Sequence, residues 1–201
     1  MKIKTENELR ELYGWAKGRA KSKVLNQLEK HSKNFIEQSP FFVMSTYDRE
    51  GRVDASPRGG KPGFVKILDD NTLLFPDAKG NNRVDSLVNI VETGNIGCIF
   101  LIPGIDETLR INGTATISTK AAHIALFYEE KNPPKTCIEI KISEMFLHCA
   151  KALMRSELWS ATNRVERPGF PTMGVMLNEQ LNTDNPLETQ EEMIKRYSSD
   201  L

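Results

Sequence analysis

The chain has 201 residues, 39% hydrophobic and 27% charged, and its 27 Lys and Arg balance 27 Asp and Glu exactly enough to leave a net charge of zero. That balance argues against a nucleic-acid binder, which normally carries a basic excess, and no apolar run approaches the roughly 20 residues that span a bilayer. Cys98, Cys137 and Cys149 are odd in number and lack CxxC spacing, and the start MKIKTENELRELYG lacks the apolar core of a secretory leader, so a reduced, cytoplasmic chain is expected.

One domain over residues 1–201 is expected, with a helical N-terminal segment (1–39), a barrel core (40–160) and a helical tail (161–201). Over residues 20–38, Val24, Leu25, Leu28, Phe35 and Ile36 form a helical stripe that Pro40 interrupts. The period then changes. Phe41–Met44 reads as a strand, Asp48–Gly51 as a turn and Arg52–Ser56 as the returning strand. Gly63–Leu68 and Thr72–Phe75 read as two more strands joined by Asp69-Asp70-Asn71. From Asn81 to Val91, Val84, Leu87, Val88 and Val91 recur at helical spacing, with Asn81 or Asn82 to cap the helix and Gly94 to end it. Ile96–Ile102 is a continuous apolar run, expected as a strand buried on both faces. The next strand alternates, with Thr108, Arg110, Asn112, Thr114 and Thr116 on a polar face and Leu109, Ile111, Ala115 and Ile117 on an apolar one. A helix over Thr119–Tyr128 stops at Asn132-Pro133-Pro134. Thr136–Ile142 alternates again, with Ile138, Ile140 and Ile142 on one face. Asn185-Pro186-Leu187-Glu188 starts a peripheral last helix. About seven strands with short turns indicate a mainly β (α+β) fold, an antiparallel barrel with flanking helices rather than a parallel βαβ sheet.

Four segments could carry chemistry. The first, Phe75–Ser86, puts Gly80, Asn81, Asn82 and Arg83 at the start of a helix, where free N–H groups and a partial positive charge suit a phosphate. Arg83 in a first turn opposes the helix dipole, and a bound anion would reverse that penalty. The alternative is Arg83 pairing with Asp77 or Asp85 at the surface. The second, Ala55–Phe64, combines three Gly, two Pro, Ser56, Arg58 and Lys61 without a Walker or GxGxxG pattern; an ordinary connection between strands has the same composition. The third is the polar face of Thr108, Arg110 and Asn112, which faces water unless it meets the first two segments. The fourth is His148–Trp159, a helix on which Lys151, Arg155 and Trp159 share one face and suit a flat anion or a subunit contact. A surface helix with Trp159 packed on the core is its alternative. His31, His123 and His148 are scattered, no zinc spacing occurs, and no metal site is expected. There is no GxSxG or Cys-His nucleophile context.

The order of SPRGGKPGFVKIL, DDNTLLFPD, AKGNNRVDSLVNI, a buried strand, PGIDETLRINGTATI and HCAKALMRSELW resembles the pyridoxamine 5'-phosphate oxidase-like flavoproteins, and within them the FMN-dependent subgroup, over residues 35–160. The resemblance implies a Greek-key split β-barrel and a homodimer with FMN at the subunit interface. It implies that Arg83, with Asn81 and Asn82, and with Arg58 or Arg110, holds the flavin phosphate. By the same resemblance Thr108 lies near the phosphate and ribityl chain, and Ser56 and Arg58 belong to the loop beside the cofactor. Phe64 and Val65 match the strand along the isoalloxazine ring, and Lys66 a lysine near the substrate pocket. Lys151, Arg155, Ser156 and Trp159 match the segment that reaches the flavin of the opposite subunit.

The chain also departs from the oxidase pattern. After Trp159, Ser-Ala-Thr-Asn-Arg164-Val165-Glu166-Arg167 echoes an Arg-Leu-His-Asp-Arg motif without its His. Asn-Asn-Arg stands where the oxidases have Ser-Arg-Lys, and the loop over 56–63 is longer. The implied activity is therefore an FMN-dependent oxidoreductase whose substrate the motifs leave open. A flavin or haem carrier or sensor without turnover is the alternative on the same fold, and a nucleic-acid-binding barrel is disfavoured by the neutral charge and 7% aromatic content.

Overall fold

The computed structural model describes residues 2–200; Met1 and Leu201, the outermost residues of the expected domain, lie outside the described residues. The strands are β1 (Phe41–Tyr47), β2 (Val53–Gly59), β3 (Lys66–Asp69), β4 (Thr72–Pro76), β5 (Asn95–Leu101), β6 (Thr108–Ser118) and β7 (Cys137–His148). They form one sheet in the order β2-β1-β5-β6-β7-β4-β3, each neighbouring pair antiparallel. β5, β6 and β7 make a meander and β4 lies beside β7, the Greek-key arrangement.

Three strands separate β1 from β4 in the sheet, yet the rings of Phe42 on β1 and Phe75 on β4 meet edge-on at 5.0 Å between centroids. The sheet is therefore rolled into a barrel, split where β2 and β3 form its edges. Phe42 also stacks on Phe100 of β5 at 4.8 Å and on Phe64 at 5.8 Å. Leu73, Leu109, Ile111, Ile138 and Ile140 complete this core. A β-bulge offsets the β6–β7 register after Asn112. There a Cβ on Gly113 would overlap the Lys141 carbonyl oxygen, so glycine lets the two backbones close up.

Several boundaries differ from the sequence expectation. Residues 20–38 are not one helix: α3 (Lys30–Gln38) starts at Glu29, whose carboxylate accepts from the His31 and Ser32 N–H groups. Ahead of it Leu25 bridges to Met145 and the Leu28 N–H donates to the Asp70 carbonyl. β2 continues to Gly59, through the stretch expected as a loop, because Pro57 sits on an edge strand where a missing donor is tolerated. β5 is buried on one face only, with Ile99 exposed on the other. The helix α5 (Ala121–Ala125) is shorter than Thr119–Tyr128. The last helix, α8 (Gln190–Tyr197), is capped by a Thr189–Glu192 capping box and not by Asn185. Two further helices, α1 (Glu6–Tyr13) and α2 (Arg19–Ser22), precede α3, and α7 (Met173–Leu181) precedes α8. No helix among the described residues is long and apolar enough to cross a membrane.

Candidate functional site

β2 alternates, so Asp54, Ser56 and Arg58 point to one face. Their partners across the ladder are Thr46, Met44 and Phe42, all buried, which makes this the inner face of the sheet. The helix α4 (Asp85–Thr93) packs against β1, β2, β5 and β6. It is held by its buried Asn89, whose amide donates to Thr46 Oγ1 at 3.0 Å. The start of α4 and residues 77–84 before it lie across from β2. Between them is a cleft of about 210 Å³ lined by Ser56, Arg58, Asn81, Asn82, Arg83 and Ser86, together with Asp54, Asp77 and Asp85.

α4 begins at Asp85, four residues later than the spacing indicates. Val84 is its N-terminal flank, in the left-handed region at φ 51°, and no side chain caps the helix. Asn82 is left-handed too, at φ 62°, and Asn81 Oδ1 accepts from the Arg83 N–H at 3.1 Å. The Asn residues thus shape the approach to the helix rather than cap it. Arg83 precedes the first turn and does not oppose the dipole from within it. Its Nε donates to Asp85 Oδ2 at 2.9 Å, the surface pairing weighed as the alternative, and the side chain remains 76% exposed.

Arg58 is more deeply set. Its Nη1 donates to Asp77 Oδ1 at 3.3 Å, while its Nε is buried without a hydrogen-bond partner. Burial raises the Asp77 carboxyl above its ordinary 3.8 even though Arg58 opposes the shift. On the other side of the cleft the Ser86 hydroxyl donates to Asp54 Oδ2. Ser86 has no second proton, so in the 3.0 Å contact between Ser56 and Ser86 it is Ser56 that donates. Asp54 lay outside the candidate segments, and Asp77 and Ser86 lay within the first one without a cofactor role, Asp77 only as a possible partner of Arg83; here Asp77 pairs with Arg58 instead. The signal for Asp54 was its period of two with Ser56 within the strand expected over Arg52–Ser56, which continues to Arg58.

The other candidates lie elsewhere. Arg110 pairs across the ladder with Ile99, which pairs with Val43, so Arg110 is on the outer face of the sheet while Arg58 is on the inner. Its guanidinium lies over the Phe146 ring at 5.3 Å. Thr108 shares that outer face opposite His148, and His148 is lowered by burial and by the nearby Lys23 and Arg110 charges. One chain therefore does not bring Arg58 and Arg110 around one ligand. Phe64 and Val65 precede β3 and bury their side chains in the core, leaving only their backbone for a ligand. Lys66 Nζ donates to the Gly63 carbonyl at 2.9 Å, away from the cleft. α6 (Lys151–Ser156) ends at Glu157, which is left-handed at φ 46°. Trp159 consequently leaves the helical face of Lys151 and Arg155, and its indole N–H donates to the Ile105 carbonyl at 3.0 Å. Lys151, Arg155 and Ser156 are exposed. No cluster of potential metal ligands occurs among the described residues.

Comparison with known proteins adds three findings. Residues 28–149 match the family model described as pyridoxamine 5'-phosphate oxidase. No curated protein matches the chain. Among solved structures, a variant of HupZ from Group A Streptococcus is 20% identical, with a TM-score of 0.51 over 60% of this chain and 98% of that one, which establishes a shared fold. An FMN-binding protein from Syntrophomonas wolfei is 15% identical over 58% of this chain and 88% of its own, with a TM-score of 0.42. The FAD binding protein from Mycobacterium smegmatis is 12% identical over 62% and 97%, with a TM-score of 0.43.

Proposed function

Because the chain belongs to the pyridoxamine 5'-phosphate oxidase family, we propose that it is an FMN-dependent oxidoreductase that grips the flavin phosphate in the cleft between β2 and the start of α4. The observation that carries this reading is the orphaned Nε of Arg58. A buried donor without a partner costs roughly 1–3 kcal/mol, and a phosphate oxygen in the cleft would satisfy it. The first N–H groups of α4 have no intrahelical partner and favour the same anion. Arg83 needs only to turn from Asp85, a solvent-exposed pairing worth at most about 1 kcal/mol. When bound, the flavin supplies two-electron redox chemistry; the chain's own residues bind and orient it.

The cleft of about 210 Å³ is smaller than the roughly 300–1,000 Å³ of most small-molecule sites, so it takes the phosphate end and leaves the ring to another surface. We assign that surface to a second copy of the chain in a homodimer. The outer face of the sheet exposes Phe41, Tyr47, Val53 and Ile99 in adjacent strands, with Thr108 and Arg110 beside them. An apolar patch of this kind marks an interaction surface. In a dimer, Arg110 of the partner subunit would complete what Arg58 and Arg83 begin. The three unpaired thiols support a cytoplasmic location.

The purified protein is expected to be yellow, to release FMN on denaturation as identified by mass, and to oxidise a reduced nicotinamide or deazaflavin in steady state. A colourless protein that takes up no added FMN would overturn the reading. A bound flavin that no donor reduces would make the protein a carrier or sensor.

A further inference from the structure

The neutral total hides a separation of charge between the two ends of the chain. Residues 2–23 hold seven Lys and Arg against three Glu, a side-chain charge of +4, whereas residues 173–200 hold six Asp and Glu against one Lys and one Arg, a charge of −4. Both ends also display apolar surface. α1 and α2 contain no buried residue, and Leu12, Tyr13 and Trp15 are well exposed. α7 and α8 likewise contain none, and Leu181, Leu187 and Ile194 are exposed. Lys17, Arg19 and Lys21 on one end, and Glu179, Asp184 and Glu191 on the other, form no ion pair among the described residues.

Within one copy these ends are anchored toward opposite ends of β7. The N-terminal arm leaves the barrel where Leu25 bridges to Met145 and Lys23 donates to the Leu147 carbonyl. α8 is tied beside the opposite end of β7: Lys131 and Asn132 donate to the Ser198 and Ser199 carbonyls, and Lys79 pairs with Asp200 at 2.6 Å. The eight residue-to-residue steps of β7 from Cys137 to Met145 span about 27 Å at the strand rise of ~3.4 Å. No hydrogen bond joins the two ends among the described residues.

We propose that the basic N-terminal arm of one copy docks on the acidic α7–α8 tail of a second copy, so that two reciprocal arm–tail contacts clasp the dimer. The charges cancel, and each apolar strip gains the cover it lacks within its own chain. The inference rests on the dimer reading above only in taking a second copy as the partner. Because the pairs lie at the surface, the clasp weakens as salt shortens the screening length below about 8 Å.

The test uses two full-length charge-reversal variants, one carrying Lys17→Glu, Arg19→Glu and Lys21→Glu, the other Glu179→Lys, Asp184→Lys and Glu191→Lys. All six positions are exposed, and thermal melts should show both variants folded. Sedimentation at low salt is expected to show each variant's dimer loosened at least tenfold, and an equimolar mixture restored as a heterodimer, since each reversed arm then meets a reversed tail. Zero-length cross-linking of mixed isotopically heavy and light wild-type chains is expected to give heavy–light links between arm lysines and tail carboxylates. Variants that dimerise as tightly as wild type, a mixture without rescue, or links confined to one label would overturn the clasp while leaving a sheet-face dimer standing. A wild-type chain monomeric at every concentration would overturn both.

Discussion

Arg83 and Arg58 occupy one cleft but differ in setting. Arg83 is an exposed cation paired with Asp85, and its removal should leave stability within about 1 kcal/mol of wild type. Arg83→Ala is expected to lose one charge-assisted phosphate contact, about 1.5–3 kcal/mol, and thus to bind FMN tenfold to a hundredfold more weakly in a fluorescence-quenching titration. Wild-type affinity in that variant would take Arg83 out of the site. Asp77 makes the opposite case. Its folded value lies above the ordinary 3.8, so the folded chain holds the proton to higher pH than the unfolded chain does. That contribution to stability is complete below the ordinary value and is lost as pH rises through the raised one. Asp77→Asn is therefore expected to stabilise the fold at pH 7, with the gain gone at pH 3, as read by denaturant melts. A loss of stability at pH 7 would show that the Arg58 pairing outweighs the burial.

The helix α4 shows how a sequence pattern can identify an element and still misplace its start. Val84, Leu87, Val88 and Val91 have the helical period, and Gly94 ends the helix in the left-handed region as its position suggests. The start escapes because periodicity does not report φ. Val84 is left-handed, which is costly for a β-branched residue, and it turns the chain into the helix after Asn81 and Asn82. A left-handed residue costs roughly 1–2 kcal/mol and Asn tolerates it better. Val84 is about half exposed and gives up little burial. Val84→Asn is accordingly expected to raise stability by about 1 kcal/mol and Tm by about 2–4 °C; unchanged or lower stability would show that position 84 is unstrained. The end of β2, from Pro57 to Gly59, escapes for a related reason. Pro57, Gly59 and Gly60 read as a loop, and only the edge position of β2, a property of the whole sheet, makes Pro57 compatible with a strand.

For the whole molecule, the antiparallel class was legible because alternation in β6 and β7 is a local signal. The barrel was legible too, from the count of strands with short turns and from the family resemblance, but the contact that closes it, Phe42 on Phe75 across three intervening strands, was not. The site was legible in the same uneven way. Ser56, Arg58, Asn81, Asn82 and Arg83 converge on one cleft, whereas Thr108 and Arg110 lie on the other face of the sheet. Which face a strand residue presents follows from parity and register, but which molecule that face meets is decided outside the single chain. The proposed function requires a phosphate held by Arg58, Arg83 and the start of α4. It is tested most directly by calorimetric titration of the flavin-free protein with FMN and with riboflavin, which lacks the phosphate. FMN is expected to bind about a hundredfold or more tightly than riboflavin, as two charge-assisted contacts require; equal affinity for the two, or no binding of either, would contradict it.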